Sequence, residues 1–367
     1  MLFCTPTPLS YPGAVILMAF FLDTPEPKVR PPSGQVSRFY ILGDWDTLYL
    51  NDNIETWLEE AHNTRSSFCC SLISDDNIGT WLEEARNARS SFYHKLTHNS
   101  VALPFLAVFT NVVETVFRIG DDLDLHKDVQ FLTIDVFDRY CMKQFDTYCG
   151  KMIDLTTEGS KFAFFKSKIA DQYLIRLLSC MQLASKYLYT TTEVITSSTV
   201  KEWLDKARVE GSNTPVYTID DIRKSEIRVL SDLNFEVGRG GNNVLFFVEC
   251  LVYIAVQEDQ VQPDILYRTV LQVQAVAYLK RQEIYHKLYN VMTNTWERDV
   301  QERINSLPIE CDSLLLAAGI VLASVFITTK YIPLMKGLAN DLARYIGVPS
   351  IDISHLCKIL VQLILTE

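Results

Sequence analysis

From Val101 onward, apolar residues recur every three or four positions in segments that Gly, Pro, Asp or Asn clusters separate. This spacing is the period of an amphipathic α-helix, whereas a half-buried strand alternates at every second residue. The sequence therefore predicts an all-α protein. We place helices near 101–119, 126–149, 170–189, 193–207, 218–234, 243–257, 262–279, 281–303, 312–329, 332–346 and 351–365.

Two of the predicted helices have the pattern of a bundle centre, in which large and small apolar residues share one stripe. In the third helix that stripe comprises Leu174, Leu177, Leu178, Met181, Ala184, Ser185 and Leu188. The segment Asp312–Phe326, DSLLLAAGIVLASVF, repeats the same L-A-S triplet inside a long apolar run. A glycine-rich break at 238–241 lies between the two groups of helices and predicts a domain junction. Two related helical bundles in tandem would explain this pattern.

The N-terminal region differs in composition from the rest of the chain. Residues 1–50 begin with proline-rich stretches such as TPTPLSYP and TPEPKVRPP, which favour extended backbone and block regular helix. We expect this leader to be disordered. The apolar run Ala14–Leu22 is too short to span a bilayer and lacks the positive residues of a signal peptide, so we expect neither secretion nor a membrane location.

An internal duplication occupies residues 51–96. The segment Asp52–Phe68 recurs 24 residues later as Asp76–Phe92, with 14 of 17 positions identical. Each copy places apolar residues at i, i+3, i+4 and i+7, which predicts an amphipathic helix. Solenoids need at least three stacked units, so a duplicated exon or an error in the gene model explains two copies better. Gly79 replaces the capping-box residue Glu55 and should weaken the start of the second helix.

The charge balance argues against nucleic-acid binding. The chain carries 34 Lys and Arg against 45 Asp and Glu, a formal charge of −11 that repels phosphate unless a basic patch is concentrated locally. The one short lysine cluster, residues 161–168, is expected to be a solvated loop. No direct nucleic-acid partner is therefore predicted.

No arrangement of residues indicates catalysis or a cofactor. The sequence contains no phosphate-binding loop, nucleophile elbow or H-E-x-x-H motif, and of its six histidines only His94 and His98 lie close together in sequence. His355 and Cys357 supply two metal ligands at best, short of a zinc site. The nine cysteines show no C-x-x-C spacing and are expected to be reduced, with Cys180 and Cys311 acting as small core residues. We expect a non-catalytic protein without metal or cofactor.

One carboxylate lies where an apolar residue is expected. In the fifth helix, Glu226 shares a face with residues at spacings of three, four and seven, namely Ile222, Val229, Leu230 and Leu233. Desolvating this carboxylate without a partner would cost several kcal/mol. Glu226 must therefore reach solvent, pair with a cation or face an interface, and composition alone favours reaching solvent.

Three segments resemble a known family, and they occur in the family's order. The segment Phe131–Cys141, FLTIDVFDRYC, resembles the second helix of the cyclin box. Leu177–Tyr187, LLSCMQLASKY, resembles its third helix with the L-A-S-K signature, and Ser225–Val237, SEIRVLSDLNFEV, resembles its fifth helix. The resemblance implies two tandem cyclin-box-like five-helix bundles, the first at 97–237 and the second, degenerate one at 242–367.

The resemblance also implies site residues. In cyclins that activate kinases, the Lys of L-A-S-K and a Glu nine residues before the terminal Phe of the fifth helix contact the kinase. These residues correspond to Lys186 and Glu226. The remaining landmarks of the box, which the resemblance implies to be structural, are Asp138, Arg139, Leu183, Ala184 and Phe235.

The details of the second and third helices look most like the cyclin N-terminal domain-containing protein 1 family. This resemblance implies a non-catalytic regulator that binds a cyclin-dependent kinase or meiotic crossover proteins and promotes the maturation of recombination intermediates into crossovers. It implies a nuclear location on meiotic chromosomes, with the cytoplasm as the alternative. Three other functions stay open: a helical scaffold without a kinase partner, a cell-cycle or transcriptional cyclin, and a nucleic-acid-binding tandem cyclin fold, which the acidic balance disfavours.

The chain departs from the cyclin pattern in its first helix. Cyclins usually carry there an Arg that pairs with the Asp of the second helix, but Phe109 occupies the position that would reach Asp138. Asp138 must therefore find another cation or solvent. The Trp and Glu of the substrate-docking groove are replaced by Thr115 and Arg118, so recruitment of R-x-L substrates is not expected.

Overall fold

The computed structural model describes residues 79–80, 82–84, 86–87, 108–151, 172–189, 194–207, 216–238, 244–258, 261–293 and 309–366. The leader at 1–50, the first copy of the duplication and the lysine cluster at 161–168 lie outside the described residues. In the second copy, the described residues between 79 and 87 are helical, and Leu82 is buried.

The described residues are α-helical and contain no strand, which confirms the all-α prediction. The first five helices are α1 (Thr110–Asp122), α2 (Lys127–Lys151), α3 (Tyr173–Leu188), α4 (Ser197–Ala207) and α5 (Ile219–Asp232). The others are α6 (Val244–Ala255), α7 (Pro263–Leu279), α8 (Arg281–Thr293), α9 (Ser313–Thr329), α10 (Ile332–Ile346) and α11 (Ser350–Thr366).

Most predicted helices coincide with observed ones to within about four residues, and α1 is the main exception. The helix predicted at 101–119 begins only at Thr110, because Phe109 has extended backbone and forms the N-cap. It continues to Asp122 and ends where Asp124 adopts a left-handed conformation with φ 51°. The predicted helix at 281–303 is described as far as Thr293.

The packing of Cα atoms divides the chain into two compact units. Among the described residues, the first unit is Arg139–Phe235, which holds the second part of α2 together with α3, α4 and α5. The second unit holds α1, the part of α2 up to Asp138, and α6 to α11. The predicted boundaries at 97–237 and 242–367, and the tandem arrangement of two boxes, stay predictions.

Helix α3 is the centre of the first unit. It packs on α5, which in turn contacts α4. Nearly every residue of α3 from Tyr173 to Ser185 is buried, so burial covers most of the helix circumference. Of the stripe inferred from the sequence, Leu174 and Leu188 are half-buried and the other members are buried. The burial stops at Lys186, and the last turn of α3 is exposed or half-buried.

Helix α9 has the same role in the second unit. It contacts α6, α7, α10 and α11, and its residues from Ser313 to Ile327 are all buried. Asp312 caps its N-terminus by accepting hydrogen bonds from the backbone N–H groups of Leu314 and Leu315. A Cβ at Gly319 would lie 2.6 Å from a methyl carbon of Leu356, so glycine permits the close approach of α11.

The buried carboxylate of Asp135 joins α2 to two other helices of the second unit. It accepts a hydrogen bond of 2.6 Å from the Tyr278 hydroxyl in α7 and one of 3.2 Å from the Val244 N–H, the first residue of α6. A carboxylate is favourable at that end of α6, where unpaired N–H groups and the helix dipole present positive charge. The Tyr278 ring stacks on Phe131, with ring centroids 5.7 Å apart.

Asp138, one turn further along α2, meets the cation that the sequence could not identify. Its Oδ2 lies 3.8 Å from Nη1 of Arg281, the first residue of α8, and both side chains are nearly buried. Burial alone would lower the pKa of the Arg281 guanidinium. The surrounding Tyr285, Asp138, Tyr278 and Asp135 outweigh that effect, so the pKa is raised. Arg281 therefore takes the place of the missing first-helix Arg.

Within the described residues, Cys141, Cys180, Cys250, Cys311 and Cys357 are free thiols, and all except the half-buried Cys311 are buried. Burial raises the pKa of the Cys180 thiol. Among the described helices, none alone is long and apolar enough to cross a membrane. Helices α10 and α11 meet that criterion only as a pair, which is bent by 119°.

Removing the Arg281 charge should destabilise the second unit. In Arg281→Met the apolar stem is kept, but Asp138 loses its cation while it stays buried, so we expect a loss of about 3 kcal/mol in the free energy of unfolding. Denaturant unfolding measures the change. The control Arg344→Met breaks an exposed pair with Asp341 and should cost less than about 0.5 kcal/mol. Equal effects of the two variants would contradict this account of the buried pair.

A second, largely buried carboxylate makes stability depend on pH. Glu249 in α6 accepts a hydrogen bond of 3.2 Å from the Tyr267 hydroxyl in α7. Burial raises the pKa of Glu249 to about 7, the Tyr267 bond opposes that rise, and Asp128 adds to it. Because the folded-state pKa lies above the unfolded value, the folded state favours the protonated acid, and this stabilisation disappears as the pH rises through 7.

Glu249→Gln, which stays neutral, should therefore stabilise the protein more at pH 8 than at pH 5. The expected difference between the two pH values is about 2 kcal/mol. Denaturant unfolding of wild type and variant at both pH values checks it, and an equal effect at both would contradict the raised pKa.

Candidate partner-binding site

The residues of the L-A-S-K signature at the end of α3 lie in different environments. Leu183 and Ala184 are buried in the first unit. The buried Ser185 hydroxyl donates to the Gln182 carbonyl at 3.0 Å and accepts from the Ile195 N–H at 3.0 Å, which anchors the segment leading into α4. Lys186 follows on the exposed side, in the last turn of α3, where a cation is favourable beside the helix C-terminus.

Lys186 and Glu226 lie together. The Lys186 ammonium donates a hydrogen bond to Oε1 of Glu226 across α3 and α5. The Lys186 side chain is 42% exposed and the Glu226 side chain 13%, so the carboxylate is the more buried partner. Of the alternatives that the sequence left open for Glu226, the structure shows pairing with a cation of its own chain. The Glu226 side chain keeps only part of the contact with solvent that composition favoured.

A buried polar cluster behind this pair fixes α5 on α3. Nη1 of Arg176 donates to the Ser225 hydroxyl at 3.0 Å, and the Ser225 and Ser179 hydroxyls lie 2.7 Å apart. Ser179 also donates to the Ile175 carbonyl at 2.7 Å. Bonds from Arg176 to Ser225, from Ser225 to Ser179 and from Ser179 to Ile175 join the three side chains in one connected network. Ser225 directly precedes Glu226, so the cluster sets the position of the carboxylate.

The N-terminus of α5 is held by a capping box. The Thr218 hydroxyl accepts from the Asp221 N–H at 3.2 Å, and the Asp221 carboxylate accepts from the Thr218 N–H at 2.9 Å. Hydrogen bonds from the Thr218 side chain and backbone lower the pKa of Asp221. The start of the helix is therefore defined independently of the packing on α3.

The C-terminus of α5 turns the chain outward. Asn234 and Phe235 both have left-handed backbone, with φ 53° and 63°, and the Phe235 N–H bonds to the Leu230 carbonyl at 2.9 Å. The Asn234 N–H bonds to the Ser231 carbonyl, which completes a Schellman end. Phe235 was predicted to be structural, but its ring is 71% exposed and does not contribute to the core.

The end of α3, together with α5 and its flanks, exposes several large apolar side chains. Among the described residues, nine large apolar side chains are exposed, and five of them belong to the end of α3 or to α5 and its flanks. These five are Tyr187, Val216, Ile219, Ile227 and Phe235. These exposed apolar side chains, together with the Lys186–Glu226 pair, make this part of the first unit the candidate surface for a protein partner.

The sequence identified the two charged residues but missed the cluster that positions them. Arg176 lies in the segment LIRLL and reads as an ordinary solvated charge, yet it is buried against Ser225. One signal was available, since Ser225 falls on the buried face of α5, and a serine there needs a hydrogen-bond partner. Arg139 lies in α2 and is partly buried, and its structural role stays a prediction.

The helical architecture and the L-A-S-K end of α3, with its lysine paired to the α5 glutamate, define the chain as an all-α, cyclin-like protein. Over 223 residues it is 28% identical to the human protein Cyclin N-terminal domain-containing protein 1, and 26% identical to the mouse protein of that name. The expected resemblance to this family is thereby confirmed. The match spans 59% of this chain and 64% of each relative, less than two thirds of their length.

No protein-family model matches the chain. No solved structure matches it either.

Replacing either member of the pair should leave the fold intact. Lys186→Ala should cost about 1 kcal/mol, because it strips the cation from a largely buried carboxylate. Glu226→Ala should cost less than about 0.5 kcal/mol, because the exposed ammonium is then hydrated. Thermal and denaturant unfolding measure both, and circular dichroism should be unchanged. The reverse order of the two costs would contradict the assignment of Glu226 as the more buried partner.

Proposed function

We propose that this chain is a cyclin-like regulator whose surface at Lys186 and Glu226 binds a cyclin-dependent kinase. The proposal extends to a nuclear role on meiotic chromosomes, in which the protein helps recombination intermediates mature into crossovers. The role is regulatory, with no catalytic step of its own. The meiotic part rests on the family resemblance of the second and third helices.

The observation that carries the kinase proposal is a charged pair on two helices that also expose apolar side chains. Tyr187 follows Lys186 directly, and Ile227 follows Glu226. Burying these apolar groups against a partner supplies the hydrophobic part of the binding energy. The polar pair then gives the interface its orientation.

Lys186 and Glu226 keep hydrogen-bonding capacity for a partner while they pair with each other. An ammonium has three donors, and a carboxylate has two oxygens with several acceptor positions. The pair in the structure uses one donor and one of the oxygens. The pair can therefore donate to and accept from the backbone of a kinase helix or loop without first being broken.

A second function is favoured by a separate observation. Because Lys186 and Glu226 satisfy each other, the surface is stable without a kinase, as a helical scaffold requires. The substrate-docking positions also depart from the cyclin pattern, since Thr115 donates to the Asn111 carbonyl of its own helix and Arg118 is exposed. The experiment must distinguish a kinase-binding regulator from a scaffold that binds crossover proteins directly.

The test is co-purification of the tagged full-length chain from meiotic tissue, followed by binding assays with a panel of purified cyclin-dependent kinases. We expect wild type to recover at least one kinase. The double variant Lys186→Ala, Glu226→Ala should bind that kinase with at least tenfold lower affinity while its fold persists.

A matched control is available on α4, where Lys201 and Asp205 form another Lys–carboxylate pair in the same unit. Lys201→Ala with Asp205→Ala should bind the kinase as wild type does. Recovery of crossover proteins without any kinase, unaffected by the Lys186 and Glu226 changes, would establish the scaffold instead. Normal crossover numbers in germ cells that carry only the double variant would overturn the meiotic part.

A further inference from the structure

One exposed face of α5 carries a cation between two isoleucines. Ile219, Arg223 and Ile227 occur at i, i+4 and i+8, so they lie along one side of the helix over about 12 Å. The two isoleucines are 40% and 65% exposed. The residues that hold α5 on α3 and α4 lie on the other side, where Ile222, Ser225 and Val229 are buried.

Of the other charged side chains along α5, Asp221 belongs to the capping box with Thr218, and the rest form ion pairs within the chain. Lys224 pairs with Asp220 at 3.1 Å, and Arg228 lies 3.9 Å from Asp232. Glu226, which lies one turn beyond Arg223, is paired with Lys186. Of the described carboxylates, none is within ion-pair distance of Arg223.

This arrangement matters once a partner covers the isoleucines. In the free protein Arg223 is exposed to water, so the absence of an ion pair with it costs little. A partner that buries Ile219 and Ile227 removes water from the guanidinium between them, and an unpaired buried charge is strongly unfavourable. The partner must therefore bring an acceptor to Arg223, and a carboxylate matches the planar guanidinium with two parallel hydrogen bonds.

We propose that Arg223 makes this face of α5 selective for a partner helix that carries a carboxylate between apolar side chains. A helix is the fitting occupant because the face is a straight strip about two turns long, which matches the ridge of a second packed helix. This inference rests on the proposed function, since it assigns a specificity-determining residue to the same binding surface.

The experiment compares Arg223→Gln with Lys224→Gln in the full-length chain. Gln introduces no negative charge beside Glu226, and Lys224 is the adjacent exposed cation on the same helix. With the kinase recovered by wild type, Arg223→Gln should weaken binding at least tenfold and Lys224→Gln less than twofold. The inference is overturned if Arg223→Gln binds the kinase as tightly as wild type does. If the Lys186 and Glu226 changes still weaken that binding, the proposed function is unaffected.

If wild type binds no kinase, the proposed function fails, and a pair of peptides then tests the inference by itself. The probes are a 16-residue helical peptide with a leucine stripe and one central glutamate, and its twin with lysine at that position. Backbone amide shifts of α5 should show the glutamate peptide binding at least fivefold more tightly, and Arg223→Gln should abolish the difference. Equal binding of the twins, or binding only of a phosphoserine version, overturns the inference.

Discussion

The buried bond between Arg176 and Ser225 is the interaction on which the candidate site depends. A guanidinium at this depth must be satisfied by oxygens that the fold places around it, because water does not reach it. The Ser225 hydroxyl and carbonyl accept from Nη1 of Arg176, and the Gln172 side chain accepts from Nη2 at 2.7 Å. The rotation of α5 on α3 is restricted by this cluster, and with it the position of every side chain that α5 exposes.

Both ends of α5 reinforce that position. The capping box at Thr218 defines where the helix begins, and the Schellman turn at Asn234 defines where it ends. A helix fixed at both ends and in rotation presents Glu226, Ile227 and Arg223 as a rigid surface. A surface arranged in advance loses little conformational entropy on binding, which favours recognition of a single type of partner.

In the second unit, the buried Asp138 needs a cation, because Phe109 occupies the position at which cyclins usually carry an Arg. An aspartate buried in α2 without a cation would be costly, and Arg281 supplies the charge from more than 140 positions further along the chain. Asp135, one turn earlier in α2, joins the same region to α6 and α7. The local sequence could predict that Asp138 needed a partner. It could not identify Arg281, because the two residues are far apart along the chain.

The amino-acid sequence by itself determined the helices, because their periodicity and their Gly, Pro and Asp boundaries are local properties, and it singled out α3 and α9 as buried centres. It also identified Lys186 and Glu226 through a family resemblance. Tertiary structure alone decided that these two residues pair, that Arg176 and Arg281 are buried, and that Phe235 points outward. Each of these outcomes depends on which helices pack together, and a charged or aromatic residue has the same local pattern whether a neighbouring helix covers it or not.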